Sequence, residues 1–95
     1  MSRFDTLFAE GVVLADGAWG TQLQLRGLKP GEPADLWNLD RPAEVEAVAR
    51  SYVEAGSRVI LTNTFRANAL ALAAHGAVDR LRAINREGVA ISRRA

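Results

Sequence analysis

Val12-Val13-Leu14-Ala15-Asp16-Gly17-Ala18-Trp19-Gly20-Thr21 is an apolar run that breaks abruptly into a small-residue turn. Residues 12–15 are apolar at every position, which predicts a strand buried on both faces. One carboxylate, Asp16, follows, and then two glycines three apart, Gly17 and Gly20. Glycine permits positive φ and lets backbone approach a ligand closely. The stretch therefore reads as a buried strand opening into a tight loop, at the edge where parallel α/β folds bind ligands. The plainer alternative is a turn in which Asp16 caps the next few residues.

Working outward, residues 1–11 form a lead-in whose Phe4, Leu7 and Phe8 sit at helical spacing. Residues 22–26 predict a short helix stopped by Gly27, and 29–33 a Pro/Gly-rich connector. Leu36, Trp37 and Leu39 punctuate an otherwise polar 34–40. A long helix starts at Arg41-Pro42, because proline suits a first turn that needs no N–H. Glu44 and Glu46 favour its positive end. Val45, Val48, Ala49, Tyr52 and Val53 form one apolar stripe, and Gly56 ends it. Residues 59–65 predict a second strand that turns polar at Thr62-Asn63-Thr64. Residues 68–74 read as helix stopped by Gly76. A last helix from 78 onward carries Val78, Leu81, Ile84 and Ile91, weakened by Gly88 by roughly 1 kcal/mol.

The order strand, helix, strand, helix predicts an α/β chain with a parallel pair and a right-handed crossover. Two parallel strands cannot close a sheet, since both faces need cover. A complete barrel of this kind takes eight βα units and about 250 residues. The expectation is the first two βα units of a truncated (β/α)8 barrel spanning 1–95, still in helical register at its last residues.

Composition bounds the function. The chain has 95 residues, 48% apolar and 24% charged, with net charge +1, which fits one small globular domain. The charge balance recruits neither nucleic acid nor anionic lipid. Arg82, Arg86, Arg93 and Arg94 read as a solvated helix face. The chain has no cysteine and one histidine, His75, so no thiolate metal site lies in it. No signal peptide or membrane-length apolar run stands out, and a cytoplasmic location is expected.

Both predicted strands turn polar at one end. Asp16 and the amides near residues 17–20 would then lie beside Thr62, Asn63 and Thr64. A carboxylate binds an ammonium group, while N–H donors and hydroxyls bind a carboxylate, so the rim suits a small zwitterion such as an amino acid. A strand-end Asx or ST turn is the alternative for 62–64.

These residues resemble a known family. Asp16-Gly17-Ala18-Trp19-Gly20-Thr21 is similar to the DGAMGT motif of homocysteine S-methyltransferases. Leu36-Trp37-Asn38, the span from Pro42 to Tyr52-Val53-Glu54-Ala55-Gly56, and Leu61-Thr62-Asn63-Thr64-Phe65-Arg66-Ala67-Asn68 follow in the family's order, as do Leu72-Ala73-Ala74-His75-Gly76 and Ile84-Asn85-Arg86. The resemblance implies a zinc-dependent (β/α)8 barrel in which three cysteine thiolates hold zinc. The zinc activates the homocysteine thiol, which takes a methyl group to give methionine. It implies that Asp16, Gly17, Ala18 and Trp19 hold the amino-acid end of homocysteine, with Thr62, Asn63 and Thr64 completing the pocket. Trp19 departs from the family's methionine or phenylalanine. The missing cysteines mean that these residues alone supply no zinc site and, by expectation, no methyl transfer. Partners would be homocysteine and a small-molecule methyl donor, with cobalamin or folate in a longer protein. The donor and the oligomeric state stay open. The competing reading is a short non-catalytic α/β module associating through an open sheet edge. A Rossmann half or P-loop is disfavoured, because the loop lacks both G-x-G-x-x-G and the P-loop lysine.

Overall fold

A computed structural model describes residues 3–9, 11–15, 18–73 and 75–95. Six α-helices account for most of them: α1 (Arg3–Phe8), α2 (Gly20–Leu25), α3 (Trp37–Asp40), α4 (Pro42–Glu54), α5 (Ala69–Ala73) and α6 (Leu81–Arg94). Short 3-10 turns at Ala34–Leu36 and Val78–Arg80 lead into α3 and α6.

The helix boundaries follow local chemistry. Pro42 occupies the start of α4, and Glu44 lies in its first turn. The end of α4 is a Schellman motif. Gly56, at φ 115°, donates to the Val53 carbonyl at 3.1 Å, and Ser57 donates to that of Tyr52 at 3.0 Å. The same pair of bonds closes α2 through Gly27, and it brings Leu28 back into the core. The Asn68 side chain caps α5, accepting from the Ala71 N–H at 2.9 Å.

Two apolar clusters result. The larger joins Trp19, Leu23 and Leu28 to Trp37, to Val45, Val48 and Ala49 of α4, and to Ile91 of α6. The smaller joins Ala67, Leu72 and Ala77 to Ile84. Of the predicted α4 stripe, Val45, Val48 and Ala49 are buried and Tyr52 half-buried, whereas Val53 is exposed. Full burial of each such Val or Leu side chain is worth about 1.5–3 kcal/mol. In the lead-in, Leu7 is half-buried and Phe8 exposed. Ion pairs on the surface include Arg26–Glu44, Arg50–Glu46, Arg94–Glu46 and Arg80–Asp40, at 2.7–3.1 Å. Pairs this exposed contribute little.

The expected α/β class is overturned. Among the described residues there is no strand, so the chain does not form two βα units of a (β/α)8 barrel. The two apolar runs do meet, but only at one isolated parallel bridge, Ala15 to Val59. There the Leu14 carbonyl accepts from Arg58 and Val59 at 2.9 and 3.2 Å. The reason is cover. Val12 is 96% exposed, Leu61 64% and Phe65 92%. A parallel pair with nothing packed on either face gains too little apolar burial to order a ladder. Helices satisfy their own hydrogen bonds and need only one covered stripe. An open sheet edge, which the interaction-module reading requires, is likewise not formed among the described residues.

Gly88 has a packing role that its low helix propensity conceals. A Cβ there would lie 2.7 Å from Thr64 Cγ2 and 2.8 Å from Asn38 Nδ2. Gly88→Ala is therefore expected to lower stability by about 1–3 kcal/mol, measured by urea unfolding. The stabilisation of about 1 kcal/mol that propensity alone predicts would contradict this packing.

Candidate functional site

The site is built on a buried amide pair. Asn38, in α3, donates through Nδ2 to the Asn63 carbonyl at 2.8 Å and to the Ile84 carbonyl at 3.1 Å. Asn63 donates back through Nδ2 to Asn38 Oδ1 at 3.0 Å and to the Ala34 carbonyl at 2.9 Å. The two residues are 1% and 2% exposed. Each buried side-chain amide thus finds acceptors for its N–H donors. The 62–64 turn is thereby fixed against α3 and α6. Asn85 adds a tie from α6, donating to the Ala67 carbonyl at 2.9 Å.

On this base Thr62 and Thr64 point their hydroxyls at each other, with Oγ1 atoms 2.6 Å apart, and the Thr64 N–H donates to the Thr62 carbonyl at 2.9 Å. The segment is a tight turn. Across from it, the Trp19 carbonyl accepts from Leu23 and starts α2. Ala18, Trp19 and Gly20 line one open cavity of about 430 Å³ together with Leu61, Thr62, Thr64 and Phe65. Its wall is mainly apolar, with few polar groups, the usual character of a small-molecule site. The Trp19 indole N–H is the one buried side-chain polar atom without a partner among the described residues.

The sequence-predicted residues divide accordingly. Ala18, Trp19, Thr62 and Thr64 come together in one cavity. Asn63 turns its side chain into the core instead. Asp16 and Gly17 lie outside the described residues. Gly20, whose loop the sequence placed at the rim, lines the cavity too, as do Leu61 and Phe65, which had no assigned role. Asn38 stood in the family-like segment Leu36-Trp37-Asn38 with no role assigned, and spacing carries no mark of a buried amide clamp.

Asp35 is a buried carboxylate just before α3. Its Oδ2 accepts from the Arg66 N–H at 2.7 Å. Burial raises its pKa above the ordinary aspartate value, outweighing the Arg66 N–H bond and guanidinium charge that lower it.

A family model described as homocysteine S-methyltransferase matches residues 13–95. The methionine synthase of Mycobacterium tuberculosis (strain ATCC 25618 / H37Rv) is 36% identical over 96 residues, covering 93% of this chain and 8% of that protein. The methionine synthase of Mycobacterium leprae (strain TN) is 36% identical over 94 residues, covering 90% of this chain and 8% of that protein. The chain thus spans about 8% of the length of these relatives.

The Asp35 environment yields a pH signature. A carboxyl raised in the fold holds its proton more tightly folded than unfolded. Its contribution to stability is complete below the unfolded pKa and is lost as pH rises through the folded one. Asp35→Asn keeps an acceptor for the Arg66 N–H but carries no charge. Between about pH 3.5 and about pH 7, the wild-type melting temperature is expected to fall relative to the Asn variant. A relative rise would contradict the assignment.

Proposed function

This chain belongs to the homocysteine S-methyltransferase family, and from that premise we propose that residues 16–20 and 62–64 form part of the homocysteine pocket of a methyltransferase. The observation carrying this is the convergence of Ala18, Trp19, Thr62 and Thr64 on one cavity from two segments distant in sequence.

The chemistry suits the amino-acid end of homocysteine. Between Thr62 and Thr64 one O–H is used, which leaves one O–H donor for a carboxylate. Leu61, Phe65 and the Trp19 ring offer apolar contact to the methylene chain. Asp16 would take the ammonium group, with the backbone of Gly17 and Ala18 beside it. Methyl transfer, giving methionine, is the work proposed for a whole protein of which this chain resembles about 8%.

Zinc is implied by the family, and these residues do not fit a zinc site. The chain has no cysteine. Among the described residues no three His, Cys, Asp or Glu side chains gather. No step through zinc is therefore derived from this stretch, and the chain by itself is proposed to be inactive. The methyl donor is not specified by these residues. Methylcobalamin, methyltetrahydrofolate, betaine, S-methylmethionine and S-adenosylmethionine all remain candidates. No helix among the described residues is long and apolar enough to cross a membrane.

The chain has two tryptophans, so the Trp19 indole N–H gives a resolvable NMR signal. L-Homocysteine is expected to shift it saturably. The pair of substitutions Thr62→Val and Thr64→Val should weaken that binding about tenfold, with the melting temperature little changed. Zinc added to the same sample should find no tight stoichiometric site. An unmoved Trp19 signal would contradict the pocket assignment, and tight zinc binding would contradict the expected division of labour.

A further inference from the structure

A second cavity, of about 210 Å³, shares Gly20 with the first and has no role in the proposed homocysteine pocket. Its wall brings together Gln24 of α2, Glu32 and Asp35 from the segment before α3, Arg66 after the 62–64 turn, and His75 after α5, with Leu72 as apolar backing. Neighbouring residues thus serve two cavities, Phe65 the first and Arg66 the second.

No side-chain ion pair joins these charges among the described residues. Among the described residues, neither Arg66 nor His75 has an ion-pair partner. Among the described residues, Asp35 accepts from the Arg66 backbone N–H and not from its guanidinium, whose charge is near enough to act on Asp35 while its N–H donors stay available. Glu32 holds only a long contact, 3.5 Å, from the Lys29 N–H. A buried carboxylate compensated by a single backbone N–H is costly unless something else meets it. Burial presses Asp35 toward its neutral form, and a cation placed beside it would favour the carboxylate.

We propose that this cavity is a binding site for a small zwitterion of the free α-amino acid class. The ammonium group would lie against Asp35 and Glu32, and the carboxylate against Arg66 and His75. A simple anion meets the two acids, and a simple cation meets Arg66. A molecule carrying both charges a few bonds apart answers each side, and Arg66 offers a planar fork for a carboxylate. Leu72 and the small cavity volume favour a short side chain. The site is independent of the homocysteine pocket and stands whether or not that assignment holds.

His75 is the only histidine in the chain, so its imidazole C–H signals report on this cavity alone, while the Trp19 indole reports on the other. L-Alanine is titrated against the whole chain at neutral pH. The expected result is a saturable shift of His75 with Trp19 unmoved. Acetate and methylammonium, each with one of the two charges, should bind at least about tenfold more weakly. Arg66→Gln removes an exposed guanidinium that bonds to no described residue, so this variant should fold normally and lose L-alanine binding by about tenfold or more. Asp35→Asn should do the same while keeping the acceptor for the Arg66 N–H. The proposal is overturned if L-alanine leaves His75 unmoved, if Arg66→Gln binds as tightly as wild type, or if acetate alone binds as well as L-alanine.

Discussion

Everything around the candidate site hangs on two buried amides. Asn38 and Asn63 bond to each other and to three backbone carbonyls, those of Ala34, Asn63 and Ile84. Those carbonyls belong to the approach to α3, the 62–64 turn and α6. An unmet buried side-chain amide costs about 1–3 kcal/mol, so each asparagine holds these segments in reach of its donors. Apolar packing is nondirectional and would tolerate small slides of α6 over α3. The amides do not. Gly88 completes the arrangement by letting α6 come close enough for Asn38 to reach Ile84.

The same clamp explains the shape of the site. With Asn63 pinned inward, its neighbours Thr62 and Thr64 are turned together on the other side of the chain, and their hydroxyls meet. Phe65 and Arg66 then diverge, one to each cavity. Asn63 thus serves the candidate homocysteine pocket as a support, while the threonines present the polar atoms.

Much of the helical part was legible in the sequence because its signals are local. Pro42 and Glu44 mark a start, Gly27 and Gly56 mark stops, and Val45, Val48 and Ala49 mark a face; each depends on residues within a turn or two. The strands failed for the opposite reason. Val12-Val13-Leu14-Ala15 has strand composition, but a ladder depends on neighbours and on cover over both faces. The described residues provide only the Ala15–Val59 bridge. Continuous apolar runs state a demand for burial without guaranteeing its supply. For the site, the family motif pointed to Ala18, Trp19, Thr62 and Thr64 together, which the cavity unites. It could not show that Asn63 faces the core, because a motif names residue types and not the direction of each side chain. Asn38, Asp35 and Arg66 gave no periodic signal at all, since buried polar contacts are made between segments distant in sequence.

The central claim is that Asn38 and Asn63 act as one unit. A double-mutant cycle of Asn38→Ala and Asn63→Ala, read by urea unfolding, tests it most directly. Strong coupling is expected, about 1–3 kcal/mol, so that the double variant is scarcely less stable than the worse single one. Losses that simply add would mean the two amides act separately, and the clamp would not be the constraint that shapes the site.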